Sequence, residues 1–120
     1  MKLPGPDHQI TIAPAKGRVV VRFAGEVVAD STAALELREA SYNAVLYIPR
    51  GDARLAHYTR TTHSTHCPYK GDASYFDLSF SDAKAPNAVW SYEAPFPAMA
   101  EIKDHLAFYP NHVTVERSGE

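Results

Sequence analysis

The stretch Thr65-His66-Cys67-Pro68-Tyr69-Lys70-Gly71-Asp72-Ala73-Ser74-Tyr75 sets a thiol, an imidazole, an ammonium group and two phenols around one turn. Cys67 is the only cysteine of the chain; Pro68 stiffens the backbone beside it, and Gly71 permits a sharp turn behind Lys70. A cysteine acts as a nucleophile or redox centre when a nearby cation or imidazole lowers its pKa. Lys70 suits that role if the turn folds back, and a lysine beside a glycine turn also suits a phosphate or carboxylate of a small ligand. His66 adjoins Cys67, but neighbouring side chains of a strand point to opposite faces. The general base of a reactive Cys67 would come from His57, His63 or His66. The bland alternative is a small buried thiol that fills the core.

A second group is aromatic. Tyr47, Tyr58, Tyr69, Tyr75, Trp90 and Tyr92 combine flat apolar surface with a polar handle, which suits either a ligand wall or the core of a small β domain. Arg50 and Arg54 lie in a loop after Pro49, where they could hold an anion in bidentate fashion. A structural tie between arginine and Asp52 is the favoured reading of that loop. The expected catalytic set is therefore Cys67, Lys70 and His66, and the expected ligand-binding set is Tyr47, Arg50, His57, Tyr69, Tyr75, Trp90 and Tyr92.

Other chemistries are not supported by spacing. His63-x-x-His66-Cys67 lacks the paired Cys-x-x-Cys knuckles of structural zinc, so no metal and no cofactor is expected. Lys70-Gly71 lacks the upstream glycine and following Ser or Thr of a phosphate loop. No serine sits in a nucleophile-elbow context.

The elements that must position these residues belong to one domain of 120 residues, 45% hydrophobic and 22% charged. A net charge of −2 gives no electrostatic case for nucleic acid. No apolar run approaches the roughly 20 residues of a membrane helix, and the stretch after Met1 has no signal-peptide core. A lone cysteine fits a reducing compartment, so a cytoplasmic protein is expected.

Residues 1–9 carry two prolines and a glycine and read as a flexible arm, with an edge strand near Ile10 and Ile12. Arg18 to Phe23 and Glu26 to Asp30 form a hairpin about the Ala24-Gly25 turn. Leu35 and Leu37 alternate with charged residues in a third strand, although Ala33 to Ala40 also reads as a short helix. Ala44 to Ile48 is a fourth strand, and one helical turn is expected near Asp52 to Leu55. Thr61 to His66, Ala73 to Phe80, Asn87 to Tyr92 and Val113 to Val115 are further strands, with Tyr75 and Phe76 on opposite faces. Ala98 to Leu106 places Met99, Ile102 and Leu106 on one stripe and reads as the single helix. The expected class is mainly β: about seven or eight short strands in two packed antiparallel sheets or a partly open barrel, with one short C-terminal helix.

Tyr47-x-Pro49-Arg50-x-Asp52, Thr65-x-Cys67-Pro68-Tyr69-Lys70-Gly71-x-Ala73-x-Tyr75, Ala88-x-Trp90-x-Tyr92-x-x-Pro95 and Ile102 with Ala107-Phe108 occur in this order. The combination resembles the domain-of-unknown-function 427 family over roughly residues 18 to 116. The resemblance implies a compact β-rich single domain and no particular activity. A nucleotidyltransferase-like label sometimes attached to that family finds no support here, because the paired aspartates that would hold Mg²⁺ are missing.

The functional expectation is a small polar-aromatic pocket around Cys67, Lys70 and Tyr75 that binds or modifies a small anionic molecule. The alternative is a structural or protein-interaction module in which the Cys-Pro-Tyr-Lys-Gly turn merely joins two strands and Lys70 is solvated. Exposed edge strands leave room for a homodimer.

Overall fold

Alternation of valine with polar residues makes the first hairpin. In the computed structural model, which describes residues 1–120, strand β2 (Arg18–Phe23) buries Val19, Val21 and Phe23 on one face. It pairs antiparallel with β3 (Glu26–Ser31), from Phe23 opposite Glu26 to Val19 opposite Ser31. Ala24 and Gly25 between them have φ of 50° and 84°; positive φ at both central residues is the type I′ turn whose twist matches a hairpin. Strand β10 (Thr114–Ser118) adds to the other side of β2.

A second three-stranded antiparallel sheet places β4 (Leu35–Glu39) between β1 (Ile10–Pro14) and β5 (Val45–Tyr47). The third sheet runs in the order β6 (Tyr58–Cys67), β7 (Gly71–Phe80), β8 (Ala83–Tyr92) and β9 (Ala107–Phe108). The protein is mainly β, as its sequence indicates. Ten strands in three sheets replace the two sheets or open barrel of about seven or eight strands expected from the sequence.

The expected helix over Ala98 to Leu106 is absent. Pro97–Ile102 forms short 3₁₀ turns interrupted at Met99 (φ −113°, ψ 19°), and Asp104 is left-handed at φ 63°. Beyond those turns the backbone bonds outward. The Asp104 N–H donates to the Tyr92 carbonyl at 3.1 Å, and Leu106 exchanges two 2.8 Å bonds with Ile48. Those bonds draw the segment into the sheet edge as β9. Met99, Ile102 and Leu106 are still buried, so the apolar stripe was a true signal of burial and a false one of helix.

β8 begins at Ala83, earlier than the expected Asn87, because a bulge accommodates Pro86. Asn87 takes φ 51° there, and its N–H donates to Asp77 Oδ1 at 2.8 Å. The N-terminal arm, read as flexible, makes specific contacts: the Lys2 N–H donates to the Pro68 carbonyl at 2.7 Å, and Gly5 bridges His8.

Side chains from β7 and β8 are buried on both faces of the third sheet. Phe76, Leu78 and Val89 join Val19, Val21, Val28 and Ile48 in one cluster. Ala73, Tyr75 and Tyr92 join Leu37, Tyr47, Met99 and Ile102 in a second. Tyr75 and Phe76 therefore do serve opposite faces. No helix is long and apolar enough to cross a membrane.

Candidate functional site

The second cluster is incomplete on one side, and the gap is a cleft of about 290 Å³. Its wall carries Tyr47 from β5, Tyr75 from β7, and Trp90 and Tyr92 from β8, with Lys70 and Glu39 at one end and Tyr109 beyond β9.

Lys70 stands at the β6–β7 connection, one residue before Gly71, whose φ of 112° turns the chain into β7. The Lys70 carbonyl accepts from the Phe96 N–H at 2.9 Å, which anchors the turn. Its side chain folds inward and the residue is only 6% exposed. The ammonium donates to Glu39 Oε1 at 2.5 Å, and the other Glu39 oxygen meets His8 Nε2 at 2.7 Å. The His8 ring in turn stacks on Tyr69, with centroids 4.1 Å apart and planes 6° from parallel. Burial pushes the Glu39 carboxyl up, but the hydrogen bonds from Lys70 and His8 outweigh it and hold the group below its usual range.

The phenols form the rest of the wall. Tyr75 and Thr65 share a 2.9 Å hydroxyl–hydroxyl bond, and Tyr109 approaches the same Tyr75 oxygen at 3.4 Å. Trp90 Nε1–H donates to the Tyr47 hydroxyl at 3.4 Å, with the two rings edge to face. The Tyr92 hydroxyl has no partner in the protein and is open to the cleft. Burial pushes the Tyr47 hydroxyl up to about 12 and raises Tyr92 as well. Tyr109 also rises to about 12, through burial and then its contact with Tyr75. These phenols stay protonated at neutral pH and act as donors.

The structure brings together five of the ten residues singled out from sequence: Lys70, Tyr47, Tyr75, Trp90 and Tyr92. Cys67 lies behind them. It is half-buried, and its sulfur has one polar neighbour, the Lys70 ammonium at 3.8 Å. Tyr69 is on the far side of His8. His66 turns outward to Asp72, 2.7 Å away, on an exposed face of the sheet. His57 is held elsewhere by the Ser79 carbonyl and Glu26. His63 packs its edge against Tyr75, so none of the three histidines is hydrogen-bonded to the Cys67 sulfur.

Arg50 builds a separate cluster. It donates to Glu93 at 2.8 Å and to Ser91 at 2.9 Å, while Arg60 forks onto the same Glu93 carboxylate. Both guanidiniums lie over the Phe76 ring. The expected arginine tie to Asp52 is not made, because Asp52 accepts from Ser31 Oγ at 2.6 Å instead. The Arg60 hydrogen bonds, with those from Arg50 and Ser74, take Glu93 down to about 2 against the opposing effect of burial.

Glu39, His8 and Tyr109 were not singled out from the sequence. Glu39 did leave a signal: period two puts Leu35, Leu37 and Glu39 on one face of β4, so a carboxylate continues the core face of a strand. Such a group needs a buried cation, and Lys70 is that cation. His8 and Tyr109 lie outside any periodic segment and left none.

A sequence model of a family described as "Domain of unknown function (DUF427)" matches residues 11–119. No curated protein matches the chain.

Proposed function

Because the chain belongs to the domain-of-unknown-function 427 family, whose description assigns no activity, we propose from geometry that it is a binding domain for a small molecule carrying an anionic or strongly accepting group. The observation that carries this reading is the free Tyr92 hydroxyl, set in one wall with Tyr47 and Lys70. These three donor groups line the same cleft as the Trp90 indole. A carboxylate or phosphate could accept from the phenols while a ring or chain lies on the indole. Glu39 does not oppose this strongly, since its two oxygens already accept from Lys70 and His8.

The burial of Lys70 favours this reading over a mere strand connection, for which a solvated lysine would suffice. The reading is of binding and not of covalent catalysis, because Cys67 lacks a placed base. The single free cysteine fits a cytoplasmic setting.

Trp90 is the only tryptophan of the chain and lines the cleft, so its fluorescence reports occupancy directly. Titration with benzoate, octanoate and inorganic phosphate should change the emission for at least one of them. Tyr92→Phe should weaken that ligand about tenfold, the worth of one hydrogen bond to a charged group. No emission change with any of the three, or equal affinity in Tyr92→Phe, would count against the proposal.

A further inference from the structure

A second cleft of about 350 Å³ adjoins the first and differs from it in chemistry. It is lined by Val19, Val21, Leu46, Ile48, Phe108 and Val115, with Pro110 at its rim. The two clefts share Asn43, Val45 and Trp90. Tyr109 lines the polar-aromatic cleft and Pro110, the next residue, the apolar one. The two linings are therefore continuous through Asn43, Val45 and Trp90 and along the chain from Tyr109 to Pro110. Tyr109 also leans on the Trp90 ring, with centroids 4.6 Å apart.

We infer that the two clefts are the halves of one site, and that its ligand is an amphipathic acid whose anionic head lies by Lys70 and Tyr92 and whose aliphatic chain crosses Trp90 into the Val21–Phe108–Val115 cleft. This rests on the binding reading of the first cleft. Size supports it: each half is near the lower limit of about 300 Å³ for ligand sites, and the two together fall well inside the usual range. Chemistry supports it too, since Lys70 and the tyrosines line only the first half. In the apolar half the only polar side-chain groups are those of the shared residues Asn43 and Trp90. Val115 is 43% exposed and Phe108 is half-buried, which leaves apolar surface at the cleft uncovered by the chain. A purely apolar ligand would leave the Tyr92 hydroxyl without a partner, and a purely polar one would leave this surface wet.

The test is a chain-length series of acetate, butanoate, hexanoate and octanoate, each kept below micelle formation and read by Trp90 emission. Affinity should rise about fourfold per added methylene that enters the apolar cleft, from roughly 0.8 kcal/mol per buried CH₂. Val115→Asp should remove most of the gain of octanoate over acetate, while Tyr92→Phe weakens all binding members of the series alike. Thermal melts check that each variant is folded. Intermolecular NOEs from octanoate methylenes to Val115 and Phe108 give a readout on the unmodified protein. Affinity independent of chain length, with no such NOEs, would overturn the amphipathic ligand and leave the head-group reading standing. Chain-length dependence without sensitivity to Tyr92→Phe would overturn the placement of the head and with it the first reading. Absence of binding across the series would overturn the amphipathic acid itself, while benzoate or phosphate binding would still distinguish the head site.

Discussion

Lys70 Nζ and Glu39 Oε1 are 2.5 Å apart, in side chains only 8% and 18% exposed, in the lining of an aromatic cleft. The pair joins β4 of one sheet to the β6–β7 turn of another. Removing one partner of such a pair leaves the other charge desolvated and uncompensated. Lys70→Met should therefore destabilise the protein by about 2–4 kcal/mol in urea unfolding. Combining it with Glu39→Gln should recover part of that loss. Equal destabilisation in the single and double variants would mean that the ion pair is not what Lys70 contributes.

Acid stability should depend on Glu93. Its carboxyl sits at about 2 in the folded protein, below its ordinary value of 4.5. A depressed carboxyl stabilises the fold fully above its unfolded value, and the contribution is lost as pH falls from about 5 toward 2. The group is partly solvated, so the contribution should be about 1–3 kcal/mol after screening. Denaturant midpoints from pH 6 to 2.5 should fall less steeply in Glu93→Gln. An unchanged slope in that variant would place the acid sensitivity elsewhere.

Ala24 occupies the left-handed region at φ 50° in the β2–β3 turn. An alanine there carries a steric cost of about 1–2 kcal/mol that glycine avoids, offset in part by the greater freedom of glycine in the unfolded chain. Ala24→Gly should raise stability by about 0.5–1 kcal/mol in urea unfolding. A loss of stability would show that the turn is not held in this geometry.

Cys67 supports the cleft from behind without lining it. Cys67→Ala should leave ligand affinity within about twofold of the unmodified protein, whereas Tyr92→Phe lowers it about tenfold. Loss of binding in Cys67→Ala, with the fold intact by thermal melt, would restore the thiol to the site.

What the sequence made legible followed period two. Alternation in Arg18 to Phe23 located the first hairpin, and Tyr75 beside Phe76 was read correctly as a residue for each face. Met99, Ile102 and Leu106 misled because burial recurs at intervals of three and four in an irregular segment pinned by Tyr92 and Ile48 just as in a helix. The turn residue Lys70 was singled out, yet its partner was not, because Glu39 and Lys70 meet only through tertiary packing. His66 drew attention by adjacency to Cys67, and strand alternation sent it to the solvent face with Asp72. The polar-aromatic cleft depends on how two sheets meet, which no local pattern encodes.

Occupancy of both clefts by an amphipathic acid can be read by an NMR titration of the unmodified protein with octanoate, following the Trp90 indole N–H and the backbone amides. Trp90, Tyr92, Val45 and Asn43 should shift, with Ser79 and Lys84 at the far end of the β7–β8 pair unchanged. Shifts confined to that far end, or none at all at millimolar octanoate, would contradict binding in the clefts.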